Sequence, residues 1–197
     1  MAPSWPLYQS LKKLGYSRII GVDEVGRGAL AGPMVVAAVE IDERIFGVDD
    51  SKLLTAVKRE SLNTDIRRAA RQLQIGQASN QEIDSLGVSA ALRLAYNRAL
   101  ENIYADLVLT DFFNLESLPY ITAAKGDQLF YPVAAASIVA KVYRDNLMKK
   151  LHQKFPDYGW ADNAGYGTVR HRAKIKEIGP CEWHRLTWLG GEKARER

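Results

Sequence analysis

Cysteine is scarce in this sequence: Cys181 is the only one among 197 residues, which excludes an intramolecular disulfide and fits a reducing compartment. The cysteine and the three histidines show no spacing typical of a zinc site. No apolar run reaches the roughly 20 residues of a membrane-spanning helix, and residues 1–6 lack the basic start and apolar centre of a signal peptide. We therefore expect a soluble cytoplasmic protein that binds no membrane.

Charge is unevenly distributed along the chain. The net charge is only +4, but residues 1–140 carry 14 basic against 16 acidic side chains, whereas residues 141–197 carry 13 against 7. A basic C-terminal third beside an acidic N-terminal part is typical of a protein that binds a polyanion and presents a phosphate to a metal. The alternative is a basic helical surface that only faces solvent.

The most informative segment is residues 19–28, an apolar run of strand type that ends in Asp23 and Glu24 and continues into a Gly-Arg-Gly turn. Adjacent carboxylates at the end of a buried strand repel each other, and a hard divalent cation relieves that repulsion. The turn exposes backbone N–H groups and the guanidinium of Arg27, and both suit a phosphate. The alternative is an Asp-Glu pair on a solvated turn.

A dinucleotide-binding turn is another interpretation of Gly26, Gly28 and Gly32. That fingerprint requires a helix directly after the glycines. Residues 34–41 are instead rich in β-branched side chains and predict a second strand. The glycines therefore join two strands, which disfavours the dinucleotide interpretation.

Hydrophobic periodicity predicts an α/β fold. The predicted strands cover residues 18–25, 33–41, 73–78, 107–111 and 120–124. One predicted helix begins near Thr55, and its apolar face carries Val57, Leu62, Ile66, Ala69 and Leu73. The other predicted helices cover residues 89–103, 133–155 and the segment from Thr168, a candidate N-cap, to Gly179.

The strand 107–111 is a second apolar strand that ends in a carboxylate, Asp111. Parallel neighbours in an α/β sheet bring their C-terminal ends together, where ligands bind, so we expect Asp111 beside Asp23 and Glu24. Asp127, on a Lys-Gly-Asp turn, is a candidate fourth carboxylate. Four carboxylates without a histidine favour Mg²⁺ or Mn²⁺ over zinc.

Tyr166 lies between two glycines just before the last predicted helix. Flanking glycines expose the ring, which suits packing on a sugar or base, whereas an isolated aromatic elsewhere is more often part of the core. Three basic residues, Lys52, Lys141 and Arg144, are hypothesised to contact phosphates from helix surfaces on either side of the site.

The motifs occur in the order Asp23-Glu24-Val25-Gly26-Arg27-Gly28, Asp50-Ser51-Lys52, Asp111, Lys125-Gly126-Asp127, Ala134 to Lys141 with Arg144-Asp145, Gly165-Tyr166-Gly167-Thr168 with His171, and Gly179-Pro180 with His184-Arg185. This order resembles ribonuclease HII, the type 2 ribonuclease H family, over nearly the whole chain. The resemblance implies a ribonuclease H-like mixed sheet flanked by helices in residues 1–155. It also implies a small C-terminal helical region, residues 156–197, that contributes Tyr166.

The resemblance further implies a metal-dependent endoribonuclease that hydrolyses the RNA strand of RNA–DNA hybrids. It implies incision 5′ of single ribonucleotides embedded in duplex DNA, which leaves 3′-hydroxyl and 5′-phosphate ends. The implied catalytic residues, which also serve as metal ligands, are Asp23, Glu24, Asp111 and Asp127. The implied metal is Mg²⁺ or Mn²⁺, with two ions when substrate is bound. The implied readers of the ribonucleotide–deoxyribonucleotide junction are Gly26, Arg27, Gly28 and Tyr166. We expect the protein to be a monomer.

One departure from the family pattern is Phe112-Phe113 after Asp111, where the family usually has a glycine, so we expect a differently shaped loop there. Two other classes of protein share part of the pattern. A nucleic-acid-binding module would use the carboxylates only to anchor a structural ion and would not nick a duplex. A DNA-resolving nuclease would share the carboxylates but has no need to recognise a 2′-hydroxyl.

Overall fold

The computed structural model describes residues 3–49, 51 and 54–190. Asp50 and Lys52 lie outside the described residues, so the phosphate contact expected of Lys52 stays a prediction. Within the described ranges, no helix is both long and apolar enough to span a bilayer.

One five-stranded mixed sheet forms the centre of the fold. Its strands are β1 (Ile19–Val25), β2 (Met34–Glu40), β3 (Gln72–Ala78), β4 (Leu107–Asp111) and β5 (Tyr120–Ala123). The spatial order is β3-β2-β1-β4-β5. The pairs β3-β2 and β2-β1 are antiparallel, whereas β1-β4 and β4-β5 are parallel. The glycine-rich turn therefore joins two strands, as predicted.

The helices surround this sheet. They are α1 (Trp5–Lys13), α2 (Ala56–Ala69), α3 (Asn80–Leu86), α4 (Val88–Leu100), α5 (Gly126–Leu129), α6 (Tyr131–Lys154), α7 (Trp160–Asn163) and α8 (Val169–Ile178), with short 3₁₀ turns at Pro156–Tyr158 and Leu186–Leu189. Helices α2 and α8 begin as predicted, because the side chains of Thr55 and Thr168 accept hydrogen bonds from backbone N–H groups of the first turn.

Helix α2 differs from the prediction in its end and its exposed face, and helices α1, α3, α5 and α7 are absent from the prediction. Helix α2 ends at Ala69, so Leu73 lies in β3, and Val57 is 82% exposed instead of packing on the core. Helix α3 is absent from the prediction, although Ser79 and Glu82 form a capping box at its start. Ser79 and Glu82 are visible as a capping box in the sequence, and this signal alone would have placed the start of α3.

Helices cover both faces of the sheet. Helix α6 packs with α2 on one face, and it approaches β1 so closely that a Cβ on Gly21 would overlap the backbone of Pro132. Helix α4 packs on the opposite face, where Ala91, Ala95 and Tyr96 are fully buried. The sheet is therefore the middle layer of an α/β fold, and its C-terminal edge between β1 and β4 faces the chain segments that carry the site.

The chain beyond α6 packs back on the turn after β1. Trp160 of α7 belongs to the same buried apolar cluster as Met148 of α6. Ala31, which follows β1, forms an isolated antiparallel bridge with His184. The C-terminal region thus lies against both α6 and the Gly-Arg-Gly turn. The domain boundary expected at residue 155 stays a prediction.

Candidate active site

Two of the expected carboxylates lie at the ends of neighbouring parallel strands. The register of β1 and β4 pairs Val22 with Thr110, so the next residues, Asp23 and Asp111, stand at adjacent strand ends. Successive side chains point to opposite faces of a sheet, and Glu24 accordingly points toward α4. The sheet edge therefore collects the carboxylates from both of its faces.

Asp127 reaches the same edge through α5. The backbone N–H of Gly126 donates to Oδ1 of Asp111 at 2.9 Å, which ties the start of α5 to the end of β4. Lys125 adopts a left-handed φ of +61° just before the helix. Asp127 follows directly and is only 3% exposed. A simple Lys-Gly-Asp turn in the sequence thus places a carboxylate against the end of β4.

Burial and neighbouring carboxylates affect the ionisation of Asp23 and Glu24. Burial raises the pKa of Asp23 well above its usual value, and the charges of Glu24, Asp127 and Asp111 raise it further. Burial also raises the pKa of Glu24, although a hydrogen bond from Tyr96 opposes this shift. Like charges gathered at a buried strand end destabilise the folded protein, and a divalent cation removes that repulsion.

The carboxylates suit a hard cation without forming a complete cage. Among the residues that the structure describes, no three acidic, histidine or cysteine side chains form a preformed metal cluster. Asp23 nevertheless lies close enough to Glu24, Asp111 and Asp127 for the charge of each to raise its pKa. Because Mg²⁺ binds few protein carboxylates and keeps waters or phosphate oxygens, this donor set fits Mg²⁺ or Mn²⁺ that binds together with a substrate phosphate.

Tyr96 supports the site from α4. Its hydroxyl donates to Oε2 of Glu24 at 2.9 Å, and its ring stacks on Phe113 with the centroids 3.7 Å apart. Phe112 is 80% exposed and has a left-handed φ of +50°, a conformation that favours glycine. Phe112, directly after Asp111, thus adopts a backbone conformation that is typical of glycine. Phe113 packs on Tyr96, whose hydroxyl contacts Glu24. No sequence pattern distinguishes Tyr96 from other apolar positions of α4.

The Gly-Arg-Gly turn follows β1 directly. Gly26 has a φ of +91°, and a Cβ at this position would overlap the side chain of Arg144. Only glycine satisfies both conditions. The backbone N–H of Ala29 donates to the carbonyl oxygen of Gly26 at 3.3 Å and closes the turn. Arg27 and Gly28 remain exposed at its tip.

Tyr166 lies beside this turn because backbone hydrogen bonds connect its segment to the residues that follow the turn. The N–H groups of Leu30 and Ala31 donate to the carbonyl oxygen of Gly165 at 2.8 and 3.2 Å. A cleft of about 290 Å³ has the half-buried Tyr166 on its wall, together with the carboxylates of β1. Tyr166, a candidate junction reader, and two of the candidate metal ligands, Asp23 and Glu24, therefore line one cleft.

Lys141 and Arg144 have different environments although both belong to α6. Lys141 lines the cleft, and its Nζ lies 2.8 Å from Oδ1 of Asp145. Arg144 is 0% exposed, its guanidinium donates to three backbone carbonyl oxygens, and it lies 5.4 Å from the ring centroid of Tyr166. The expectation that Arg144 contacts phosphate from a helix surface is therefore wrong: the side chain is internal and supports the turn and Tyr166.

A family model for ribonuclease HII matches residues 20–190, which include all the site residues described above. The ribonuclease HII of Syntrophotalea carbinolica is 46% identical, and the match covers 94% of this chain and 92% of that protein. The chain belongs to the ribonuclease HII family. It is therefore a hydrolase, an endoribonuclease that acts on RNA–DNA hybrids and leaves 5′-phosphate ends.

Two solved structures of ribonuclease H type share the fold. The structure of the PCNA:RNase HII complex from Archaeoglobus fulgidus matches with a TM-score of 0.77 and 28% identity, over 87% of this chain and 95% of the other. Ribonuclease H2 from Pyrococcus horikoshii matches with a TM-score of 0.75 and 27% identity, over 91% and 98%. These matches confirm the predicted ribonuclease H-like mixed sheet flanked by helices.

Arg185, like Tyr96, contacts the candidate site of this ribonuclease HII family member although the sequence does not reveal its role. Its side chain is 0% exposed, and it donates to the carbonyl oxygens of Gly26 and Arg27. Arginine is rarely buried without an acidic partner, so a lone arginine in a polar segment predicts an exposed side chain. Only the three-dimensional structure shows that it contacts the turn.

Proposed function

We propose that the chain is a metal-dependent endoribonuclease that cuts the RNA strand of RNA–DNA hybrids and also incises 5′ of single ribonucleotides embedded in duplex DNA. The observation that carries this proposal is the shared cleft. Its wall holds Asp23, Glu24 and Tyr166, and Leu30 and Ala31, which follow the Gly-Arg-Gly turn, are hydrogen-bonded to the residue that precedes Tyr166. One bound duplex can therefore contact the carboxylates and both candidate readers together.

The carboxylates would hold Mg²⁺ or Mn²⁺, with two ions when substrate is bound. The ligands are Asp23, Glu24, Asp111 and Asp127. When bound, two such ions stabilise the attacking and leaving oxygens of an in-line displacement at phosphorus. Asp23 and Asp111 would hold the metal from adjacent strand ends, and the hydroxyl of Tyr96 holds Glu24 in place.

The exposed turn and Tyr166 supply the selectivity for the ribonucleotide. The 2′-hydroxyl is the group that distinguishes RNA from DNA, and backbone N–H groups of Arg27 and Gly28 can approach it closely because no Cβ stands at Gly28. Tyr166 packs on the next sugar, where a deoxyribose leaves room for the ring. Lys141, on the wall of the same cleft, neutralises a neighbouring phosphate.

Cleavage of three matched duplexes tests this function. The duplexes share one sequence and contain no ribonucleotide, a single ribonucleotide or a complete RNA strand. We expect the single ribonucleotide to be incised on its 5′ side in Mg²⁺ or Mn²⁺, with 3′-hydroxyl and 5′-phosphate ends, and the all-DNA duplex to stay intact. Binding without nicking would instead support a binding module, and cleavage of the all-DNA duplex would support a DNA nuclease. Monomeric state and cytoplasmic location stay predictions.

A further inference from the structure

Arg185 is the main internal contact of the Gly-Arg-Gly turn. Its Nη2 donates to the carbonyl oxygens of Gly26 at 2.6 Å and of Gly32 at 3.0 Å. Its Nη1 donates to the carbonyl oxygen of Arg27 at 2.8 Å, and its Nε donates to Gly32 at 3.2 Å. One planar guanidinium therefore binds two carbonyl groups of the turn and a third, that of Gly32, in the same connection between β1 and β2.

Arg144 supports the same turn from α6. Its side chain donates to the carbonyl oxygens of Ala31, Pro33 and Ala164 at 2.8–3.0 Å. Neither Arg144 nor Arg185 has a carboxylate at ion-pair distance within the described ranges. Charged donors form stronger hydrogen bonds to carbonyl groups than neutral donors do, and these bonds offset part of the cost of burying two charges.

The carbonyl contacts fix the direction of two N–H groups. A trans peptide unit is planar, and its C=O and N–H bonds point in opposite directions; the described residues contain no cis peptide. Because the carbonyl groups of Gly26 and Arg27 point inward to Arg185, the N–H groups of Arg27 and Gly28 point outward. Neither N–H donates a hydrogen bond within the part of the chain that the structure describes, and both residues are exposed.

We propose that Arg185 is a positioning residue, which holds the N–H groups of Arg27 and Gly28 outward so that they bind the 2′-oxygen of the substrate ribose. This inference rests on the proposed function and adds the residue that prepares the turn for its substrate. The positive charges of Arg185 and Arg144 beneath the turn also favour the phosphate next to that ribose. The turn is thus rigid and oriented before the substrate arrives, which lowers the entropic cost of binding.

Amide resonances test the direction of the two N–H groups. In an Asp111→Asn background, which prevents hydrolysis, we expect the amide protons of Arg27 and Gly28 to shift more with a single-ribonucleotide duplex than with an all-DNA duplex. Adding Arg185→Lys should abolish this difference, since the three donors of an ammonium lie on one nitrogen and cannot reproduce the bonds that Nε, Nη1 and Nη2 of the guanidinium make. Equal shifts with both duplexes, or a difference that survives Arg185→Lys, would overturn the proposal.

Cleavage by otherwise wild-type protein gives the second readout. Arg185→Lys should lower kcat/KM on the single-ribonucleotide duplex about 10- to 100-fold, the effect of one or two hydrogen bonds. Arg98→Lys is the matched control, because Arg98 forms an exposed pair with Glu82 at the start of α3, and it should retain wild-type cleavage. If the wild-type protein cuts none of the duplexes, the proposed function fails, whereas the amide shifts still report on the turn.

A further variant covers the case in which Arg185→Lys does not fold. A Cβ on Gly28 meets no atom within 4 Å, so Gly28→Ala should fold normally. The added methyl group stands where the ribose must approach, and we expect single-ribonucleotide cleavage to fall about 10-fold, as for the loss of one hydrogen bond. Unchanged cleavage by Gly28→Ala would show that the ribose does not bind at this turn and would overturn the proposal.

Discussion

The carboxylate at Asp23 is held in an environment that disfavours its charge. The side chain is 8% exposed, and burial together with three neighbouring carboxylates raises its pKa. The same repulsion that destabilises the protein without metal increases its affinity for a divalent cation, because the cation neutralises several charges at once. If Asp23 binds the metal as proposed, the folded protein gives up stability at this residue for metal binding.

Replacing Asp23 with asparagine separates these two effects. We expect Asp23→Asn to abolish cleavage in Mg²⁺. The amide has nearly the same shape as the carboxylate, but it is neutral and therefore a poor ligand for a hard cation. With a chelator present, we expect the melting temperature to rise by about 3 °C, the shift that roughly 1 kcal/mol produces in a chain of this size. Asp65→Asn, on the surface of α2, is the control and should change neither value. Near wild-type turnover by Asp23→Asn would remove Asp23 from the metal site.

Residue roles could be predicted from sequence only where the residue type contradicts its local pattern. Asp23 and Asp111 end apolar strands, where a carboxylate is unexpected without a ligand, and the structure places them at adjacent strand ends as the sequence predicted; their role as metal ligands stays a prediction. Arg144 lies among other basic residues of α6, which favoured a surface role. Its burial depends on Ala31 and Ala164, two segments distant in sequence, and no local pattern contains that information.

Tyr166 is the residue for which a reading role and a packing role differ most. If its ring packs on the deoxyribose after the ribonucleotide, Tyr166→Ala should lower cleavage of a single embedded ribonucleotide more than cleavage of a long hybrid. Tyr166→Phe should retain most activity, because the stacking surface remains. A tyrosine with only a packing role would instead cost about 3 kcal/mol or more on truncation to alanine. Equal loss on both substrates with a large fall in melting temperature would contradict the reading role.

Among the elements, the strands were predicted most reliably. Each predicted strand agrees with the structure to within one residue at either end, since turns and charged residues interrupt the apolar runs. Helix boundaries agree less well, because Leu73 continues the apolar spacing of α2 although the chain has already entered β3. Periodicity reports which side chains are apolar, and it cannot show that the backbone becomes extended at Ala70.

Helix α8 is attached to the rest of the C-terminal region by a pair of buried histidines. His171 Nδ1 lies 2.9 Å from the carbonyl oxygen of Tyr166, which can only accept, so Nδ1 carries the proton. His184 Nδ1 accepts from the backbone N–H of Cys181, so its proton is on Nε2. Two N–H groups then share one acceptor, Nε2 of His171. They are Nε2–H of His184 and Nε1–H of Trp160. Every donor has an acceptor only while both rings are neutral.

This arrangement predicts a loss of stability in acid. Burial, with His171 adding to it, lowers the pKa of His184 to about 4, whereas an unfolded histidine takes up a proton near pH 6.5. Between these values the unfolded chain binds more protons, so the free energy of unfolding falls as the pH falls, by about 1.4 kcal/mol per pH unit for each proton. His184→Asn keeps an acceptor for the N–H of Cys181 but cannot be protonated.

Denaturant melts from pH 7 to pH 4 measure this difference. We expect the free energy of unfolding of His184→Asn to depend less steeply on pH than that of wild-type protein throughout this range. Equal slopes for the two proteins would show that His184 is not held neutral by the fold.

At the scale of the whole molecule, the basic C-terminal third has two different functions. Residues 141–197 carry 13 basic side chains against 7 acidic ones, a distribution that predicted a surface for a polyanion. Arg144 and Arg185 contribute to that excess from the interior, beneath the Gly-Arg-Gly turn. Net charge along the sequence therefore does not distinguish a basic side chain that supports the interior from one that contacts a polyanion, and the phosphate-binding surface stays a prediction.

Lys141 tests the surface contribution directly. It lies in the cleft but is also paired with Asp145 one helical turn later, so the alternative role is an ordinary intrahelical ion pair, worth about 0.2–0.5 kcal/mol of helix stability. If Lys141 binds a phosphate, Lys141→Ala should weaken binding of all duplex sequences alike and reduce the slope of log affinity against log salt by about one unit.

Asp145→Asn should strengthen binding, because it frees the ammonium for the phosphate. Lys13→Ala, at the exposed end of α1, should leave the slope unchanged, and an unchanged slope for Lys141→Ala would assign Lys141 to the ion pair alone.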